Sequence, residues 1–187
     1  LEEIAATRME DAAQAGRKFD QAFWGHVRFV LANVARASWL GITGARLIRV
    51  PGAPALRRFT RQLTRISAGF ALTADVAMLF LGGDLKRREM LSARLGDILS
   101  QLYLASAVLK RFEDDGRPQA DLPLVEWALR DCQNRIQEAF YGVFENFPSR
   151  IAAGALRAAV FPWGRIFSPP ADRLGHAVAR LMLEPSQ

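Results

Sequence analysis

Apolar residues recur every three or four positions along most of this chain, and that spacing confines it to helices packed along shared faces. One stripe runs through Phe23, Val27, Val30, Val34 and Ala37. A second has Leu56, Phe59, Leu63, Ile66, Phe70, Ala77 and Leu81. The third is Leu91, Leu95, Ile98, Leu102, Ala105, Leu109 and Phe112, and the fourth is Val125, Leu129, Cys132, Ile136, Ala139, Val143 and Phe147. Alternating steps of three and four keep each stripe on one face of a helix that turns once every ~3.6 residues. No run alternates with period two for long enough to make a strand. With 50% of its residues hydrophobic, the chain has enough apolar surface to bury a sizeable core.

The breaks between stripes agree with helix ends. Arg49-Val50-Pro51-Gly52-Ala53-Pro54 separates the first two. Gly82-Gly83-Asp84 closes the second helix and offers Asp84 as N-cap of the third. Glu113 to Pro118 ends the third, and Asp121 caps the fourth, with Pro123 tolerated in the first turn. The predicted fold is all-α: an antiparallel four-helix bundle with a short N-terminal helix over residues 1 to about 15 and a Pro-interrupted helical tail. A bundle domain over 1–147 and a tail over 148–187, packed on the bundle or facing a membrane or partner, is the expected division. The chain opens on Leu1, without a signal-peptide pattern, and reads as starting inside something larger. No segment reads as long and apolar enough to span a bilayer: Phe70 to Leu81 is roughly half the ~20 residues required, and Asp75 interrupts it.

Chemistry-bearing motifs are sparse. His26 and His176 stand alone, and no Glu-x-x-His pair or other metal-ligand cluster occurs. The single cysteine, Cys132, excludes an internal disulfide. There is no Gly-x-Ser-x-Gly elbow and no phosphate loop, since Leu81-Gly82-Gly83-Asp84 lacks a preceding strand and a following Lys-Ser/Thr. Hence no catalytic, cofactor-binding or metal-binding residue is assigned.

The net charge is +6, with 25 Lys and Arg against 19 Asp and Glu. Such a balance suits an anionic membrane or ligand, or simply a solvated arginine-rich surface. Nucleic acid is not expected as a partner, because the aromatics mostly sit on core stripes and are not free to stack on bases. Two groups are candidate contacts. Lys86, Arg87 and Arg88 could grip an anion or partner, although they sit at the N-terminal end of the third helix, where the dipole disfavours cations. The plainer alternative is a solvated face with local ion pairs such as Arg94 with Asp97. In the tail, Arg157, Phe161, Trp163, Arg165 and Phe167 alternate cations with aromatics, a pattern suited to a membrane interface or a partner. The alternative there is a segment docked on the bundle.

From Leu81-Gly82-Gly83-Asp84-Leu85-Lys86-Arg87-Arg88-Glu89, through Leu91 to Ala107, Leu109 to Asp114, Asp121-Leu122-Pro123-Leu124 and Phe147-Pro148, the chain resembles the C-terminal region of FadE-type bacterial long-chain acyl-CoA dehydrogenases. The resemblance implies an FAD enzyme of fatty-acid β-oxidation that makes a double bond between C2 and C3 of an acyl-CoA and passes electrons to an electron-transfer flavoprotein. It implies upstream catalytic domains of the same enzyme and a homo-oligomer in the bacterial cytoplasm; a peripheral place on the inner membrane is the expectation that goes with a membrane-facing tail. The Val-Glu-Gly-Ala-Asn-like segment carrying the base in that family does not occur in these residues. The expected role is therefore structural, dimerising or membrane-docking, with FAD belonging to the parent enzyme. The alternative is a non-enzymatic helical interaction module that binds a membrane surface or partner protein.

Overall fold

The computed structural model describes residues 12–183. Among these residues there are six α-helices: α1 (Ala12–Thr43), α2 (Arg57–Leu81), α3 (Glu89–Asp114), α4 (Leu122–Glu145), α5 (Arg150–Val160) and α6 (Asp172–Leu183). Short 3-10 turns at Pro54–Leu56, Gly82–Arg87 and Gln119–Asp121 lead into α2, α3 and α4, and no strand occurs among the described residues. The all-α helical bundle expected from the stripes is therefore observed. The short helix expected over residues 1 to about 15 lies outside the described residues, apart from its end, which belongs to α1.

Side-chain contacts define how the helices run. Near one end of the α1–α2 pair Gln62 donates to Gly44 O at 3.1 Å, and farther along Asn33 donates to Asp75 at 2.6 Å, so the two helices are antiparallel. Asp75, the charge that interrupts the apolar run of α2, thus has a polar partner on the neighbouring helix. Helix α3 returns alongside α2, ending where Glu113 accepts from the backbone N–H of Ala53 at 2.6 Å. Helix α4 runs parallel to α2: Arg58 pairs with Glu126 at one end, and the Phe80 and Phe147 rings meet at 5.7 Å at the other.

The four stripes do what their spacing requires, most completely in α2, α3 and α4. Ile66, Ile98, Leu129, Ile136 and Val143 are all within 1% of full burial. Each large apolar side chain so buried contributes about 1.5–3 kcal/mol of transfer free energy. Helix α1 is the exception. Phe23 is 43% exposed and Val34 39% exposed, and the buried face runs instead through Ala37, Leu40 and Gly41. The cause is α5, which packs against α1, α2 and α4, so that small residues of α1 meet a short helix rather than a fourth long one.

That contact is unusually close. A Cβ added at Gly41 would stand 2.4 Å from Ala159 O, and one at Gly69 would stand 2.7 Å from Val160 Cγ1. The last turn of α5 is thus held in a slot between two glycines. Ser149 opens the same helix as N-cap, its hydroxyl accepting from Ala152 N.

Three expectations need correction. Asp84 does not cap α3: the chain continues past Gly82 (φ 48°) as a 3-10 turn, α3 begins at Glu89, and exposed Asp84 faces Arg87 at 3.6 Å. Arg94 is not paired with Asp97; its guanidinium lies against Gly142 of α4 and its Nη1 donates to Met90 O. Because helical structure persists through both Gly82 and Gly83, Pro54–Arg87 forms one helical stretch of 34 residues with an 18-residue window of mean hydropathy 1.6. By length and composition it could cross a membrane, contrary to the sequence reading. Nine residues of α2, from Phe59 to Ala77, are nevertheless buried in the core, as in the central helix of a bundle.

The glycine slot makes substitution site-specific in sign. Gly41→Ala is expected to lower stability by about 1–3 kcal/mol, because a backbone oxygen cannot move aside. Gly96→Ala, at an exposed α3 position with nothing within 4 Å of the added Cβ, is expected to raise it by up to about 1 kcal/mol. Thermal melts followed by circular dichroism read both; an equal shift in the same direction would show that the slot is not tight.

Candidate functional site

The parallel course of α2 and α4 sets two polar ladders face to face. On α2, Arg58, Gln62 and Arg65 fall at i, i+4 and i+7, one face of the helix. On α4, Glu126, Arg130 and Gln133 repeat the same spacing. Arg58 and Arg130 both bond to the single carboxylate of Glu126, Arg130 through Nε at 3.0 Å and Nη2 at 2.8 Å. Between the ladders lies a cavity of about 590 Å³, closed by Gly44 and Arg46 of the α1–α2 loop and by Trp163 and Phe167 of the tail.

Arg65 is the most buried charge there, at 3% exposure. Its Nη2 donates to Val160 O at 2.7 Å, its Nη1 reaches Gln62 Oε1 at 3.4 Å, and its guanidinium carbon lies 5.5 Å from the Phe161 ring centroid. A cation on the C-terminal carbonyl of α5 complements that helix's dipole. Burial pulls its pKa down from the ordinary guanidinium range to about 10, so Arg65 remains charged at neutral pH. Gln133 is also buried, at 5% exposure, and its Nε2 has no hydrogen-bond partner among the described residues.

The tail is held over this cavity by α4. Gln137, 1% exposed, accepts from Ile166 N at 2.7 Å and Phe167 N at 2.9 Å, and donates to Phe167 O at 2.9 Å. One amide thereby satisfies three backbone groups of an extended segment that has no strand to pair with. Trp163 Nε1 donates to Ile42 O at 3.1 Å, tying the tail to α1. Arg165 pairs with Glu138, and its guanidinium lies 4.1 Å from the Tyr141 ring centroid; Arg157 lies 5.6 Å from the same ring.

These positions sort the tail residues predicted as a membrane or partner contact. Phe161 is a correction: at 2% exposure it stands in the core among Phe140, Tyr141 and Phe144, because an aromatic at the end of α5 fills the space under Arg65. Phe167 is partly buried against the same cluster. Arg157 and Arg165 remain exposed but engage Tyr141, while Trp163 is 70% exposed. Lys86, Arg87 and Arg88 lie at the far end of α2, exposed in the 3-10 turn and the residue after it. The structure does not bring those three together with the tail group. Sequence reasoning missed Arg65, Gln133 and Gln137, since a polar residue on an apolar stripe carries no mark of what it bonds.

Other titratable groups have structural explanations. Burial raises the pKa of the Cys132 thiol, as befits a packed residue of the core. Glu113 is held below its ordinary 4.5 by the Ala53 N–H and then by Arg117. No group of three His, Cys, Asp or Glu among the described residues could hold a metal ion.

The described residues form an all-α helical bundle that leaves large apolar side chains exposed on its surface. The family described as "Acyl-CoA dehydrogenase, C-terminal, bacterial type" matches residues 1–187, and the chain belongs to it. No solved structure matches the chain. Enzymes of this class are generally FAD-dependent. The described residues contain no strand–glycine loop–helix cradle of the kind that grips a dinucleotide pyrophosphate, so they do not fit that mode of holding the flavin.

Two consequences follow for stability. Gln137→Leu leaves three backbone groups unpaired, each costing about 1–3 kcal/mol if it stays dry; release of the tail should appear as faster proteolysis after Phe161. Because the folded-state pKa of Glu113 is depressed, its stabilisation is present above the unfolded carboxylate value and is lost as pH falls through the folded one. The melting temperature of Glu113→Gln should therefore lie below that of the parent at neutral pH and converge with it in acid. A constant gap at all pH values would refute the assignment.

Proposed function

We propose that this chain is the non-catalytic helical part of an FAD-dependent acyl-CoA dehydrogenase of fatty-acid β-oxidation, bracing the catalytic domains or a second subunit of that enzyme. The supporting observation is the outer face of α1. Trp24, Leu31, Trp39 and Ile42 are each more than half exposed. Trp24, Leu31, Ala35, Ser38 and Ile42 follow the spacing of a helix–helix seam, with the small Ala35 and Ser38 between the bulky residues. Exposed apolar surface gathered on one face in this way is characteristic of an interface. In this reading the parent enzyme carries out α,β-dehydrogenation of medium- or long-chain acyl-CoA upstream of these residues, with electron-transfer flavoprotein as its oxidant. The bundle then holds those domains in a shape that admits bulky acyl chains.

A membrane-docking role is a second reading. Ile151 is 87% exposed and Trp163 70% exposed, close in sequence to Arg150, Arg157 and Arg165. Peripheral attachment to the bacterial inner membrane from the cytoplasm would follow. Since Phe161 and Phe167 support the fold, Ile151→Ser with Trp163→Ser probes this face, with a thermal melt to check that loss of the Trp163–Ile42 bond leaves the fold intact.

Leu31→Asp with Trp39→Asp, made in the parent enzyme, is expected to lower its mass by light scattering or to reduce flavin content and activity on long acyl chains by about tenfold or more, a loss of ~1.4 kcal/mol. Unchanged mass, flavin content and activity on every chain length would eliminate the bracing role. Loss of vesicle flotation in the Ile151 and Trp163 variant, with mass unchanged, would favour docking to the membrane.

A further inference from the structure

We propose that the cavity between α2 and α4 is a binding site for an organic phosphate, with the phosphate or diphosphate held by arginines and an apolar or planar group laid against Trp163. Charge is the first ground. Arg46, Arg58, Arg65 and Arg130 all line the cavity, no carboxylate lines it, and Glu126 behind it is shared between two of the four. The site therefore carries an excess of positive charge against low-dielectric walls, where an anion is attracted more strongly than in water.

Burial is the second ground. A fully desolvated guanidinium is costly unless opposite charge or acceptors compensate it. Arg65 has two neutral acceptors, Val160 O and Gln62 Oε1, and no carboxylate partner among the described residues. Close by, the Gln133 amide nitrogen is a buried donor with no acceptor among those residues. Arg65 and the Gln133 amide nitrogen both donate, so the complementary ligand is rich in acceptor oxygen and negative charge. Phosphate and diphosphate esters have that chemistry, and arginine forks match their geometry.

The walls supply the third ground. Ile42, Phe59, Ile166 and Phe167 give the cavity an apolar side, beside the polar Thr43, Gln62 and Ser168, and the exposed Trp163 ring stands at the mouth, fixed in place by its bond to Ile42 O. An inorganic ion would leave that apolar wall unused; a phosphate joined to a ring or an acyl chain would cover it. This site lies at the opposite end of α2 from Lys86, Arg87 and Arg88, so the two basic groups are separable by mutation.

Isothermal titration of the full chain with pyrophosphate, with ADP, and with phosphatidylcholine vesicles doped with phosphatidylglycerol tests the proposal. Binding of at least one of the three is expected, weakened about tenfold or more by Arg46→Glu and by Arg58→Gln. Both are exposed residues whose loss leaves the core intact, which a thermal melt verifies; Arg65→Ala is avoided because it removes the cap on α5. Tighter binding of ADP than of pyrophosphate, reduced by Trp163→Ala, supports a soluble ligand with a planar group. Binding of the doped vesicles alone, lost in the same arginine variants, supports a lipid phosphate as the source. Absence of binding in all three arms, or binding that Lys86→Glu weakens as much as Arg46→Glu does, overturns the proposal. Arg46→Glu should leave the mass of the parent enzyme unchanged, so this outcome is separate from that for the α1 face.

Discussion

The last turn of α5 sits between Gly41 of α1 and Gly69 of α2, with its final carbonyl capped by the buried guanidinium of Arg65. Much of the molecule depends on that junction. It adds a second anchor for α1 beside its direct packing on α2, brings Phe161 into the aromatic core, and sends the chain out over α4, where Gln137 can hold it. Close backbone approach requires residues without a Cβ, and a helix end brought into the interior requires a donor for its carbonyls. Both needs are met by residues far apart in the chain.

This junction also forms the arginine cavity. The same Arg65 that caps α5 faces the space between two parallel helices, and the tail that follows α5 closes its mouth. Stability and recognition are thus drawn from one set of contacts. A cation that must be buried to hold the fold is at the same time short of negative charge, which gives the cleft a chemical preference that an ordinary groove between helices would lack. The open apolar face of α1, by contrast, has little polar specificity of its own and suits a large flat contact with another helical surface.

Much of the architecture was legible in the residues. The stripes in α2, α3 and α4 became the core because a helix buries whichever face is apolar, and those helices have neighbours on that face. The first stripe was misleading at Phe23 and Val34, which stay exposed, since the face of α1 that packs closely runs through Ala37, Leu40 and Gly41. Helix ends were less readable: Asp84 had the chemistry of a cap, yet helical structure ran on through two glycines. In the tail, alternation of arginine and aromatic residues was visible, but which aromatic would turn inward was not.

What the sequence determined by itself was the helical secondary structure, the core faces of α2, α3 and α4, and the family, because periodicity and residue type are local properties. The up-and-down order of the helices already implied that α2 and α4 run parallel; tertiary structure alone decided that Arg58, Gln62 and Arg65 face Glu126, Arg130 and Gln133. It alone decided that Gln137 would hold the tail and that Phe161 would be core while Trp163 stayed exposed. The physical reason is common to all of these. A polar or aromatic side chain has no intrinsic address, and its role is set by which unsatisfied groups and which empty volume the packing of distant helices brings to it.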